Sequence, residues 1–240
     1  MIEKPILEVI ACSVADAIEA EKGGAGRLEI VRNLQEGGLT PAFELVREIK
    51  NAVGLPLRVM VRESSGYQVR NDREIASLCN AAERFAALAV DGLVLGYLHE
   101  QRVDTALTDR ILKCAPQLKA TFHHAFEDAK DHAEALEAIK SIRQVDRILS
   151  SGGTGKLGER IERLNAYERR AGPELTIIAG GGIDRMGIAE IVRATRVREI
   201  HVGRAARLAN RVENAVSAEL VRNLVGLINE TVGKLDVSDH

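Results

Sequence analysis

Eight short runs rich in Val, Ile and Leu recur along the chain, each followed by a longer stretch with helical spacing. The runs fall at Ile6–Cys12, Arg27–Val31, Leu57–Arg62, Gly92–Tyr97, Ala120–His124, Arg147–Ser151, Thr176–Gly180 and Glu199–Gly203. The stretches between them are Val14–Lys22, Ala42–Ala52, Arg73–Leu88, Asp104–Cys114, Ala133–Ile142, Lys156–Ala171 and Met186–Ala194, with a closing segment near Ala215–Val232. Strand and helix in alternation predict a parallel sheet, because the helix returns the chain to the starting edge. An open doubly wound sheet and a closed barrel both satisfy that pattern. Eight complete units favour closure, which leaves no sheet edge unpaired. At 240 residues the chain also matches the ~250 typical of one (β/α)8 TIM barrel. No linker, composition shift or low-complexity tract divides it, so one domain is expected, with a frayed tail at Asp236–His240.

Composition removes several function classes. Apolar residues make up 45% and charged residues 28%, the balance of a globular chain with a large core. A net charge of −2 offers no bulk attraction to nucleic acid or to an anionic membrane. Tryptophan is absent and aromatics are 3%, too few for base-stacking platforms. No run approaches the ~20 apolar residues of a membrane span, and Met1–Ala11 carries Glu3 and Glu8 where a leader would be apolar. A cytoplasmic protein is expected. Three cysteines, Cys12, Cys79 and Cys114, form no CxxC pair and read as reduced thiols, the latter two structural.

Charged residues inside strands need explaining, since a barrel lumen is usually filled by aliphatic side chains. Residues two apart share a strand face. One face therefore groups Glu8, Ile10 and Cys12; others group Glu29 with Val31, Arg58 with Met60 and Arg62, Thr121 with His123, and Glu199 with His201. Alternation does not say which face is inward. If Glu8 and Glu29 point in, two buried carboxylates require a cationic partner, with Arg62, His123 and His201 as candidates. The plainer alternative is an ion-pair network that fixes register. Arg62 and His123 end their strands, where barrel active sites assemble, and are read as site residues. His124 is expected to face away, and His99 and His132 to be exposed.

Glycine-rich loops follow the last three strands. Gly180, Gly181 and Gly182 precede Asp184, and Gly203 precedes Arg204. Barrels commonly hold a phosphate with the loops after strands 7 and 8, where glycine lets backbone N–H groups approach the anion. Ser151 and Gly152, in the loop after strand 6, are added as anion-binding candidates. Its GGTGK stretch is not a P-loop, because Leu157 follows Lys156. Tight turns alone would also account for these glycines. For metals, Cys12 with the histidines and carboxylates offers mixed donors, but no HxxH or HExxH spacing is present. A lone thiol near the mouth does not make an all-sulfur Cu(I) site.

Together these motifs resemble the CutC copper homeostasis family over nearly the whole chain. The matching residues are Leu7-Glu8-Val9 with Cys12-Ser13, Gly24-Ala25-Gly26-Arg27-Leu28-Glu29, Glu36-Gly37-Gly38-Leu39-Thr40-Pro41 and Arg62. Thr121-Phe122-His123 with Ala125-Phe126, Arg147-Ile148-Leu149, Ala179-Gly180-Gly181-Gly182-Ile183 and Glu199-Ile200-His201 continue the series. The resemblance implies a single-domain barrel, a cytosolic location, frequent homo-oligomers and copper binding by cysteine. The chain departs from it at Val31, where a second cysteine is common, in the loop Glu63–Tyr67, at His124 and Glu127, and after His201. Two functions are therefore expected. One is copper handling, with copper bound near Cys12. The other is a lyase- or isomerase-type enzyme acting on a small anionic or phosphorylated metabolite. In the second, His123 is the general acid/base, Glu8 or Glu29 a second proton-transfer group or orienter, Arg62 an electrostatic clamp and His201 a further catalytic residue, with the glycine loops holding the anion.

Overall fold

The computed structural model describes residues 5–238. All eight predicted strands form: β1 (Ile6–Ala11), β2 (Arg27–Ile30), β3 (Leu57–Met60), β4 (Gly92–Leu95), β5 (Lys119–Phe122), β6 (Val145–Ser150), β7 (Thr176–Ala179) and β8 (Glu199–Val202). They close into a parallel barrel in which each strand pairs with its neighbours in sequence and β8 returns to β1. Helices α1 (Val14–Gly23), α2 (Phe43–Ala52), α3 (Asp72–Ala87), α4 (Thr105–Leu112), α5 (His132–Lys140), α6 (Leu157–Ala171), α7 (Arg185–Ala194) and α8 (Ala218–Ser238) wrap it. No helix among the described residues is long and apolar enough to cross a membrane. Of the tail expected to fray, 236–238 continue α8 and the remainder lies outside the described residues, as does the start of the segment read for a leader.

Local chemistry explains the boundaries. Ser13, Asn71, Asp104, Asp131 and Asp184 each accept an amide N–H of the first turn of the helix they precede, a cap worth about 1 kcal/mol. All eight strands end one or two residues earlier than the apolar runs suggest, because the chain peels away into loops there. Arg62, for example, leaves the ladder to bond Thr40, whose amide donates to the Arg62 carbonyl at 2.8 Å and whose hydroxyl accepts the Arg62 amide at 2.8 Å. After β4 the chain adds a small antiparallel ladder, Leu98–His99 with Arg102–Val103, which the sequence pattern did not signal. Its turn uses Glu100 and Gln101 at φ 47° and 60°, where Gly or Asn would be the usual residues.

Leu7, Val9, Leu28, Val59, Leu93, Ile148 and Ile200 face outward from the barrel and are buried beneath the helices. The lumen-facing set is therefore the polar one. Arg27, 3% exposed, bonds Glu8 through Nε and Glu199 through Nη2, the latter at 2.6 Å. Arg147 Nε reaches Glu199 at 2.9 Å, and Arg58 makes a two-pronged contact with Asp146 at 2.8 and 3.0 Å. Above this layer lies a small apolar one of Ile10, Val31, Met60 and Val94. Ionised groups this deep are tolerated only as a fully paired set. Removing the shared cation takes the buried Glu8 carboxylate's only arginine among the described residues and one of the two arginines on Glu199, so Arg27→Met is expected to cost about 3–5 kcal/mol in urea unfolding. Arg170→Ala, which breaks the exposed pair with Glu137, should cost under about 1 kcal/mol. Equal losses would show that the lumen network is not a stabilising unit.

Candidate functional site

A cavity of ≈ 380 Å³ opens at the C-terminal ends of the strands, lined by Glu29, Arg62, His123 and His201, with Ile10, Val31 and Met60 among its apolar residues. Glu8 lies beneath it. His201 bridges the two carboxylates, with Nδ1 2.7 Å from Glu8 Oε1 and Nε2 3.3 Å from Glu29 Oε2. The register that aligns Glu8 with His201 and Ile10 with Glu29 sets this contact.

The three groups titrate differently because their neighbours differ. Burial would raise the Glu8 carboxyl, but the Arg27 charge and the His201 hydrogen bond more than offset it and hold it well below the usual carboxylate range. Glu29 has no arginine hydrogen-bonded to it. Burial dominates there and pushes its carboxyl up to about 7, against the partial pull of the His201 charge. Burial alone would depress His201, but the charge of Glu29 and the bond to Glu8 raise it instead. Glu29 and His201 thus share a tightly held proton. The second Glu29 oxygen, Oε1, is buried without a partner.

His123 is the other incomplete group. Its Nδ1 accepts the Ala125 N–H at 3.2 Å, so the neutral ring carries its proton on Nε2, which is buried and unpartnered. Burial and the charges of Arg62 and His124 keep the ring neutral, far below its usual titration. The mouth therefore presents one free N–H donor and one free carboxylate oxygen. Arg62 is occupied differently. Nε donates to the Ser64 carbonyl at 2.8 Å and Nη2 to the Glu36 carbonyl at 2.7 Å, tying together the loops after β2 and β3. Gly37, at φ +80°, leaves room for that guanidinium, since a Cβ there would lie 3.3 Å from Nη2. Tyr67 packs between Arg62 and His123, its ring centroid 5.3 and 5.1 Å away.

The glycine loops divide. Gly181, Gly182, Gly203 and Arg204 line the cavity, whereas Ser151 and Gly152 do not. The hydroxyls of Ser150 and Ser151 and the amides of Ser151 and Gly153 all donate to Glu127 Oε1, at 2.7–2.9 Å. Burial opposes ionisation of Glu127, but the His124 bond and these hydroxyls outweigh it and hold the carboxyl at about 2. That loop already has its anion. His124 does not face away as expected. The short helical turn His124–Asp128 breaks the strand alternation and brings the ring to the cavity rim, with Nδ1 3.1 Å from Glu127 Oε2. Nor is His132 exposed: it bonds the Tyr167 hydroxyl at 2.9 Å. Arg27, Thr40, Tyr67 and Glu127 were missed as site-forming residues. Arg27 shares a strand face with Glu29, so alternation alone could have found it.

Copper chemistry is poorly served at the mouth. Cys12 accepts a bond from Arg207 at 3.6 Å, and burial pushes its thiol up, away from the thiolate that binds metal. The ligand-type atoms that do converge among the described residues belong to Glu8, Glu29 and His201, oxygen and nitrogen donors without Cys12. A soft cation prefers sulfur, and Glu8 is already committed to Arg27, so the metal role expected of Cys12 does not fit this arrangement.

Fold and site together define a single-domain (β/α)8 barrel protein with a ligand-sized cavity, apolar in most of its lining and carrying a few polar groups, at the C-terminal face of its strands. The chain belongs to the CutC family, whose model matches residues 5–206. It is 30% identical to a family protein CutC of Xylella fastidiosa over 93% of this chain and 89% of that one. It is 33% identical to the human copper homeostasis protein cutC homolog over 82% of this chain and 72% of that one. The crystal structure of a CutC protein from Streptococcus agalactiae superposes with a TM-score of 0.77 at 27% identity, covering 82% of this chain and 97% of that one.

The raised Glu29 carboxyl has a consequence for stability. The folded state holds this proton more tightly than the unfolded chain, so stability from this group is complete below about 4.5 and is lost as pH rises through about 7. Glu29→Gln removes that loss. Its melting temperature relative to wild type should rise between about pH 5 and about pH 8. A constant difference across that range would mean that Glu29 titrates normally.

Proposed function

We propose that this CutC-family protein is a barrel enzyme of the isomerase or lyase type that moves a proton at a carbon next to a carbonyl group of a small anionic metabolite. One observation carries the reading: a single cavity holds a buried carboxylate oxygen and a buried imidazole N–H, neither with a partner. Buried polar atoms are normally bonded, and two complementary ones on residues that line one cavity are suited to a ligand that completes both. Glu29, with its proton affinity near neutrality, takes the proton from carbon. His123 Nε2–H donates to the carbonyl oxygen as negative charge develops there. The neutral tautomer suits His123 to this donor role rather than to the general acid/base role expected from the sequence. Glu8 and His201 orient Glu29 from below. Return of the proton to the former carbonyl carbon, as a proton passes between the two oxygens of the enediolate, gives an isomerase; expulsion of a group from the carbon β to the carbonyl, as the enolate electrons form the new double bond, gives a lyase. The test is proton NMR in D2O with a panel of phosphorylated and carboxylated hydroxy-carbonyl compounds. Wild type should exchange the acidic carbon-bound hydrogen of one of them, and Glu29→Gln should slow this about 10²–10⁴-fold. Exchange that survives Glu29→Gln would overturn the assignment.

A second reading, Cu(I) as cargo, has its own support outside the mouth. Cys114, just past α4, and Cys79 on α3 are neighbours: burial first, and then Cys79, push the Cys114 thiol up to about 11, and it donates to the Arg110 carbonyl at 3.6 Å. No third His, Cys, Asp or Glu converges on the pair among the described residues. Two thiolates suit a soft monovalent copper ion better than a four-coordinate metal, and the relatives from human and mouse are named for copper homeostasis. Competition with a Cu(I) chelator should then show binding that Cys79→Ser abolishes and Cys12→Ser leaves intact. The opposite pattern would return copper to the mouth.

A further inference from the structure

The two glycine-rich loops after β6 and β7 lie side by side at the mouth and differ in one respect. The β6 loop is neutralised from within, its donors converging on Glu127 Oε1. Among the described residues no carboxylate accepts the amides of the β7 loop's glycines, since Asp184 takes the Gly187 amide at 2.8 Å instead. Gly181 and Gly182 stand at φ +87° and +69°, and their amides donate to no acceptor among the described residues. Arg160 on α6 fixes how that loop faces. Its Nε donates to the Ser151 carbonyl at 2.7 Å and its Nη2 to the Gly181 carbonyl at 3.1 Å. The C=O and N–H of a trans peptide point in opposite directions, so drawing the Gly181 carbonyl toward α6 turns the Gly182 N–H away from it. Arg204 stands beside this loop: its Nη2 would be 3.3 Å from a Cβ built on Gly182. Its side chain is exposed and makes no ion pair or hydrogen bond among the described residues. Gly182 and Arg204 line the same cavity as Glu29 and His123.

We infer that Gly181, Gly182 and Arg204 bind the oxyanion end, phosphate or carboxylate, of a small hydroxy-carbonyl substrate whose reacting carbon lies at Glu29 and His123. The location of the reacting carbon rests on the acid–base reading above; the oxyanion site does not. Free amides in left-handed backbone and a guanidinium form the usual pairing for such a group. A cavity of ≈ 380 Å³ suits a compact metabolite rather than a polymer. The site excludes Ser151 and Gly152, whose loop is already filled. Arg160 acts as a positioning residue, because it touches the loop backbone and not the ligand.

The test is a ¹⁵N NMR titration of the full chain with inorganic phosphate and, separately, with acetate. Saturable shifts at Gly181 and Gly182 are expected with at least one of the two. Phosphate alone would mark a phosphorylated substrate, and acetate a carboxylate. Arg204→Gln should weaken the binding about tenfold or more, the worth of one charge-assisted contact. Arg160→Gln should weaken it as well, while leaving the amide signals of the β8 loop in place. The site is overturned if neither anion shifts these amides, if Arg204→Gln leaves the affinity unchanged, or if the shifts fall on Ser151–Gly153 instead. The Glu29 side-chain carboxyl, followed by ¹³C in the same samples, separates the two readings. Titration near the ordinary carboxylate value with intact anion binding would remove the acid–base reading and keep this site. Titration near neutrality without anion binding would do the reverse.

Discussion

Arg27 stands between Glu8 and Glu199 in a lumen that most barrels fill with aliphatic side chains, and the arrangement at the mouth is built on that contact. A buried carboxylate without a cation would take up a proton. With Arg27 in place Glu8 stays ionised, and an ionised Glu8 fixes His201 through Nδ1. His201 then directs its other nitrogen at Glu29, one strand over. Among the described residues no arginine hydrogen-bonds Glu29, and this difference moves the two carboxyls in opposite directions, Glu8 down and Glu29 up. One cation, placed under one carboxylate and not the other, leaves one carboxyl held ionised and the other with a raised proton affinity.

The upper half of the site follows from a second economy, in how backbone donors and carbonyls are used. Arg62 and Arg160 both donate to loop carbonyls and so shape the mouth. Glu127 supplies an anion to the β6 loop, which leaves the β7 loop and Arg204 as the open donors. Sulfur contributes little at the mouth, because Cys12 is held as a thiol beside Arg207. The donor set there suits proton transfer and oxyanion binding better than it suits a soft metal.

Most of the barrel was legible in the sequence because burial on both faces writes each strand as a compact apolar run. The errors lie where side chain–backbone bonds compete with the ladder. Arg62 was read as the end of a strand, yet its bonds with Thr40 begin a loop. The small ladder at Leu98–Val103 turns on Glu100 and Gln101, which carry no turn signal. His124 was assigned the wrong side because strand alternation was extended through what is a helical turn. Of the site, Glu8, Glu29, His123 and His201 stood out as polar residues in apolar strands. Arg27 was passed over, although the same alternation placed it with Glu29.

By itself the sequence determined the eight βα units, their parallel order and the strand faces that carry charge, since these depend on local periodicity and on the lack of a free sheet edge. It could not say which carboxylate would be ionised, which histidine nitrogen would carry the proton, or which glycine loop would be open. Those depend on contacts between residues as far apart as Glu8 and His201, or Glu127 and Gly153, and only closure of the barrel brings them within hydrogen-bonding distance. The inventory of polar groups at the mouth was thus written in the chain, and their protonation and pairing were decided by the tertiary structure.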